Sequence, residues 1–181
     1  SLLKPLRSTK RNLHFFENTD PLNISSTLST LNKENTMFIV ASKSGTTIET
    51  ISILKTVIHH YGLEIDGADK NRLLIITDHG SPLSHFADYH GIVQFAIPLN
   101  VGGRFSVLSA VGIVPLTLAG YDTKEILCGA SDFMERFFNR QEEHLLDKAC
   151  FLFENSSNIT TNLLFGYANE LENMCKWYVQ L

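Results

Sequence analysis

Six consecutive residues, Ser42-Lys43-Ser44-Gly45-Thr46-Thr47, gather four hydroxyls and one ammonium around a single glycine. Hydroxyls are rotatable donors, and a glycine lets the backbone come close to a bound group. Such a turn at the start of a helix meets backbone N–H groups that have no partner inside the helix, in a dipole that favours negative charge. That combination holds anions, and phosphate is the natural guest. Ser and Thr are also ordinary helix caps, so capping and phosphate binding are both readings of this turn. Four hydroxyls and a lysine exceed what one cap uses. The glycine spacing and the Gly-Lys-Ser/Thr ending of the nucleoside-triphosphate loop are absent.

The elements around the turn fit the phosphate reading. Met37–Ala41 is a short, wholly apolar run of the kind buried on both faces of a sheet. After the turn, Ile48, Ile51, Leu54, Ile58 and Tyr61 recur at helical spacing, and Gly62 stands where a helix C-cap glycine belongs. Strand, small-residue turn and helix therefore follow in order. Glu49, next to the turn, reads as a first-turn carboxylate complementing the helix dipole.

The same alternation extends along the chain. Leu13–Phe16 is a strand candidate closed by a turn at Asp20-Pro21, and Asn23–Lys33 has helical spacing with Asn23 or Ser25 as its cap. Gly67–Asn71 reads as a loop. Leu73–Ile76 is a second all-apolar strand ending in Thr77-Asp78, Ser81-Pro82 opens a short helix, and Ile92–Ile97 is a further strand stopped by Pro98. Beyond Gly102-Gly103-Arg104, one helix is expected from Phe105 to Ala119, with Gly120 ending it. Asp122 or Thr123 caps another reaching Phe138, and Glu142–Leu181 reads as mainly helical. Apolar strands alternating with helices imply a parallel sheet covered on both faces. Ligands bind such sheets at the carboxyl ends of the strands. The segments Ser42–Thr47, Thr77-Asp78 and Gly102–Arg104 are thereby expected to face one crevice.

Composition narrows the class. The chain has 181 residues, 44% of them hydrophobic, and a formal net charge of −4. That balance argues against a broad basic nucleic-acid surface. No apolar run reaches the length of a membrane span, and Ser1–Asn12 lacks the pattern of a signal peptide. Cys128, Cys150 and Cys175 fit neither a disulfide framework nor a zinc pattern and are expected as reduced thiols. The histidines (His14, His59, His60, His79, His85, His90 and His144) form no evident metal set.

At this point the motifs become recognisable. SKSGTTIET after an apolar strand resembles the phosphate-binding loop of the sugar isomerase (SIS) fold. VGGRFSVLSAVGIVPLTLAG is similar to the signature of the phosphoglucose isomerase family. The FENTDP turn and the closing Trp177-Tyr178-Val179-Gln180-Leu181 match stretches of that family in the same order. The resemblance implies a three-layer α/β/α parallel sheet, SIS-like and flavodoxin-like, with a helical C-terminal extension. It implies a phosphosugar domain over 1–140 and, over 141–181, a helical connection toward a second such domain. Carried over position by position, Ser42, Lys43 (through its backbone), Ser44 and Thr47 hold the sugar phosphate. Gly103 and Arg104 lie against the reacting end of the sugar, where the arginine stabilises a cis-enediol(ate).

The implied reaction is the interconversion of glucose 6-phosphate and fructose 6-phosphate, with no cofactor and no metal, in a cytoplasmic homodimer. The family's carboxylate base and its assisting histidine and lysine belong to motifs expected beyond Leu181, and a strand and loop that also touch the phosphate are expected before Ser1. The 181 residues alone are thus expected to be inactive, with the open strand edge filled by association or by rearrangement of the first strand. Two other readings compete. One is a non-catalytic SIS module that senses phosphosugars, which would have no use for an oxyanion arginine. The other is a purely structural piece.

Overall fold

The computed structural model describes residues 11–181; the N-terminal residues 1–10 examined for a leader pattern lie outside that range. The chain divides into two compact units, one running to Ala119 and the other Gly120–Leu181.

The first unit is a three-layer α/β/α arrangement. Its sheet is formed by β1 (Phe38–Ala41), β2 (Leu73–Thr77) and β3 (Val93–Ala96), parallel and in the order β1-β2-β3. Phe38 pairs with Leu73, and Leu74 with Val93. β2 is central and every one of its residues is buried, which is why its sequence is apolar without alternation. On one face, Phe38, Val40, Leu73 and Ile75 pack with helices α1 (Pro21–Thr30), α2 (Ile48–Tyr61) and α3 (Pro82–His90) through Ile24, Leu28, Leu54, Val57, Leu83 and Ala87. On the other face, Ile39, Leu74, Ile76 and Ile97 meet α4 (Ala110–Ala119) through Val111, Val114 and Leu118.

Several boundaries differ from the sequence reading, each for a local reason. Leu13–Phe16 joins no strand ladder. An apolar groove of about 430 Å³ separates that segment from β1, lined also by Val57, Val111 and Pro115, so it has no strand to exchange hydrogen bonds with. Asp20-Pro21 does more than mark a turn. Asp20 caps α1 by accepting from the Leu22 amide at 2.9 Å, and Pro21 occupies the first turn. The Gly67–Asn71 loop contains a 3₁₀ turn, Ala68–Arg72.

The single helix expected over Phe105–Ala119 is broken. A 3₁₀ segment spans Gly103–Leu108, and Ser109 is extended (φ −91°, ψ −171°) before α4 begins. The break is built in. Ser109 Oγ donates to the Ser106 carbonyl at 2.6 Å and accepts the Val111 amide at 3.3 Å, as a cap does. Gly112 then lets the chains close up, since a Cβ there would stand 2.0 Å from the Val107 carbonyl oxygen.

The second unit holds α5 (Thr123–Phe138), α6 (Glu143–Glu154) and α7 (Glu172–Gln180). Asp122 caps α5 through the Glu125 amide at 3.0 Å. The mainly helical reading of 142–181 fails between α6 and α7, where 159–167 carry no regular structure. None of the described residues of this unit is buried, and Phe138 and Phe153 are exposed. Cys128 and Cys150 are exposed and Cys175 half-buried, all unpaired. No described helix is long and apolar enough to cross a membrane.

A buried carboxylate ties the loops at the amino ends of the strands. Asp69 accepts from the Glu64 amide (3.0 Å), Lys33 Nζ (3.1 Å) and Arg72 Nε (2.9 Å). Arg72 continues to the carbonyls of Lys33 (2.8 Å) and Glu34 (2.9 Å) and to the Glu34 carboxylate. The Glu64 amide, then the Lys33 ammonium, hold the Asp69 carboxyl below the ordinary aspartate range. A group depressed in the folded state contributes stability above its unfolded pKa and loses it as pH falls through the folded value. Urea titrations across the acid range should therefore show stability falling below about pH 4, with a shallower fall in Asp69→Asn. Equal slopes would assign acid sensitivity to other carboxylates.

Candidate functional site

The three carboxyl ends of the sheet converge, because adjacent parallel strands deliver their C-terminal loops to one edge. From β1 comes Ser42–Thr47. The Ser42 amide donates to the Ile76 carbonyl at 3.0 Å, carrying the ladder one residue past the strand. The Gly45 amide then closes a turn onto the Ser42 carbonyl at 3.2 Å. Gly45 sits at φ +66°, and a Cβ there would lie 2.7 Å from Ser81 Oγ and 2.9 Å from the Leu83 amide nitrogen. Glycine is thus required twice, for the left-handed backbone and for the close approach of α3.

The hydroxyls divide into two kinds. Ser42 is buried and donates to Thr47 Oγ1 at 3.0 Å, bracing the turn across its mouth. Ser44 is exposed, and its Oγ accepts the Thr46 amide at 3.2 Å beside the Thr46 hydroxyl at 3.0 Å. Thr47 occupies the N-cap position of α2, yet its side chain makes no cap hydrogen bond. The capping reading therefore leaves the hydroxyls of this turn mostly unused on the helix itself. The first-turn amides of α2 keep their donors outward, as amides at a helix start do. Glu49 is exposed in that first turn.

From β2 come Thr77 and Asp78. Thr77 was expected to face the crevice, but it is 1% exposed and works as an internal tie. Its Oγ1 donates to the Ser42 carbonyl at 2.6 Å and lies 3.3 Å from the Lys43 carbonyl and 2.8 Å from Ser81 Oγ. Its carbonyl accepts the Ile97 amide at 3.0 Å. One residue thereby joins the ends of all three strands and the cap of α3, where Ser81 Oγ accepts the Ser84 amide at 3.1 Å. A polar residue closing an all-apolar strand was the signal for this role. Asp78 donates its amide to the Lys43 carbonyl at 3.0 Å, and its Oδ1 is buried without a hydrogen-bond partner.

From β3 comes the segment leading to Gly102-Gly103-Arg104. Val101 donates to the Pro98 carbonyl at 3.0 Å, and Phe105 to Gly102 at 2.9 Å. The buried Ser106 donates its hydroxyl to the Gly103 carbonyl at 2.6 Å. Gly103 and Arg104 are exposed at the start of the 3₁₀ segment. Lys43 Nζ reaches this loop, 2.5 Å from the Val101 carbonyl and 3.4 Å from that of Leu99. The structure thus brings Ser42, Lys43, Ser44 and Thr47 into one turn and connects it, through the lysine, to the loop of Gly103 and Arg104. No group of three or more His, Cys, Asp or Glu arranged to hold a metal ion occurs among the described residues.

Known proteins are similar to this chain in sequence and in fold. The family model described as Phosphoglucose isomerase matches residues 2–181. A glucose-6-phosphate isomerase of Campylobacter jejuni is 39% identical over 97% of this chain and 43% of its own length. One of Thermus thermophilus is 35% identical over 93% of this chain and 41% of its own. The crystal structure of a hypothetical Thermus thermophilus protein superposes with a TM-score of 0.81 at 34% identity, covering 92% of this chain and 40% of that one. The chain spans about two fifths of the length of these relatives.

Two substitutions test the turn. Gly45→Ala should cost at least about 1–2 kcal/mol, the scale of a left-handed residue bearing a Cβ, before any clash with Ser81 is counted. Thr77→Val should cost about 0.5–1.5 kcal/mol, since it removes one of two hydrogen bonds from the Ser42 carbonyl and one from the buried Ser81 hydroxyl. Urea unfolding of each variant measures both, and a value near zero for either would show that the carboxyl-edge network relaxes around the change.

Proposed function

The chain belongs to the phosphoglucose isomerase family, and from that premise we propose that it supplies the phosphate cradle and the charge-stabilising arginine of an aldose–ketose isomerase acting on glucose 6-phosphate and fructose 6-phosphate. The observation that carries this reading is the turn at Ser42–Thr47. It feeds the uncapped start of α2 at the carboxyl edge of a parallel sheet, inside the span that the family model matches.

The roles follow from chemistry. The first-turn amides of α2, the Lys43 amide and the hydroxyls of Ser44 and Thr47 offer donors to a phosphate dianion, with Ser42 holding Thr47 through its own hydroxyl. Gly103 leaves room for a sugar to lie against the backbone, and Arg104 presents a planar guanidinium with donors in a fixed fork. Moving a proton between C1 and C2 of an open-chain sugar passes through an enediolate whose oxygen carries developing negative charge. A fixed cation there lowers the barrier most, because it need not reorganise as the charge forms. Binding and charge stabilisation are assigned to these residues, and proton transfer to none of them. On the same reading the intact enzyme is a cytoplasmic homodimer of carbohydrate metabolism. Residues 141–181 lead toward its second phosphosugar domain, and neither metal nor cofactor takes part.

Calorimetric titration of the chain with fructose 6-phosphate tests the assignment. Saturable binding should weaken about tenfold or more in Thr47→Ala, the scale of one lost hydrogen bond to a charged group. Arg104→Ala should weaken a phosphosugar acid more than it weakens inorganic phosphate. Binding untouched by Thr47→Ala would remove the cradle from this turn.

A further inference from the structure

The Lys43 side chain has no part in the roles assigned so far, yet it connects the cradle to the arginine loop. Its backbone is fixed at the end of β1, where the Lys43 carbonyl accepts the Asp78 amide at 3.0 Å and lies 3.3 Å from Thr77 Oγ1. Its ammonium donates to the carbonyls of Leu99 and Val101, in the loop after β3. β1 and β3 are not neighbours; β2 lies between them, so their axes stand about 10 Å apart. The lysine therefore extends over the end of the central strand and holds a loop two strands away.

We propose that Lys43 is a positioning residue, whose ammonium sets the span between the phosphate cradle and Arg104. This rests on the function proposed above and adds a specific role within it. The loop it grips has little slack on either side. Upstream, the turn from Pro98 to Val101 is closed by its own backbone hydrogen bond. Downstream, Ser106 anchors the Gly103 carbonyl, and the Ser109 amide and hydroxyl both donate to the Ser106 carbonyl. Between these anchors, the backbone at Arg104 is confined to a short span that begins at Val101. A charged donor on two carbonyls makes a stronger tether than a neutral one. A phosphosugar has a fixed distance between its phosphate and its reacting carbons, so both ends can be met together only if the two loops keep that distance. The residue that offers its amide to the phosphate is thus also the one that places the arginine.

The experiment compares two probes on the full chain. Inorganic phosphate reads the cradle alone, and 6-phosphogluconate reads the cradle together with a carboxylate at the reacting end. Lys43→Met should weaken 6-phosphogluconate about tenfold more than it weakens inorganic phosphate. That excess should vanish in the Arg104→Ala background and be largely recovered in Lys43→Arg, whose guanidinium can donate to the same carbonyls. Hydrogen exchange of the amides at 102–106 should quicken in Lys43→Met. Equal weakening of both probes would make Lys43 a cradle charge and overturn the proposal, as would an excess that persists without Arg104. If the unsubstituted chain binds neither probe, the proposed function fails in this chain. The exchange rates at 102–106 then still decide whether Lys43 holds the loop.

Discussion

The buried hydroxyl of Thr77 is the interaction on which the carboxyl edge of this sheet depends. A parallel sheet leaves the carbonyls at its strand ends pointing toward loops that offer no regular partner, and each unpaired buried group costs free energy. Thr77 answers this with one side chain placed at the end of the central strand. It satisfies the Ser42 carbonyl and meets the Ser81 hydroxyl, while its own carbonyl takes the Ile97 amide. The turn that follows Ser42 is consequently anchored on its buried side. Its outer side, with Ser44 and the first amides of α2, is left to solvent or ligand.

Rigidity at the site is borrowed from the same source. Gly45 presses against α3 so closely that a single methyl would collide, and Ser81 is at once the cap of α3 and a partner of Thr77. Packing, capping and turn geometry therefore share atoms. Such sharing places hydroxyls with little freedom to wander, which is what recognition of a small dianion asks of its donors. The Asp69 network does the equivalent work at the opposite ends of the strands, joining Lys33, Glu64 and Arg72 around one carboxylate.

Much of this was legible in the residues. Apolar runs at Met37–Ala41 and Leu73–Ile76 announced parallel strands, although only the second is buried throughout and Met37 and Ala41 are exposed; Gly62 announced the end of α2, where it is indeed left-handed at φ +56°. The turn at Ser42–Thr47 stood out because its hydroxyls exceed the needs of a cap. What escaped was non-local. Leu13–Phe16 has strand-like composition, but a strand exists only when another lies within hydrogen-bonding distance, and here a groove intervenes. The run from Phe105 to Ala119 is small and apolar without an evident stop before Gly120. The close pass of Val107 over Gly112 and the local bonding of Ser109 interrupt it. The reach of Lys43 across the sheet could not be read from spacing at all, because its partners lie 56 and 58 residues away.

The strict order β1-β2-β3 also bears on how the molecule is made. Each strand pairs with the one synthesised just before it, so the sheet can be lengthened at one edge as the polypeptide leaves the ribosome, with no strand inserted between two already joined. Each pairing closes over one helical crossover, joining Phe38 to Leu73 and Leu74 to Val93. The lysine at position 43 waits through two such additions before Leu99 and Val101 emerge to receive it. The helix Ala110–Ala119 emerges later still, so the face of the sheet formed by Ile39, Leu74 and Ile76 is covered only after that lysine has found its partners.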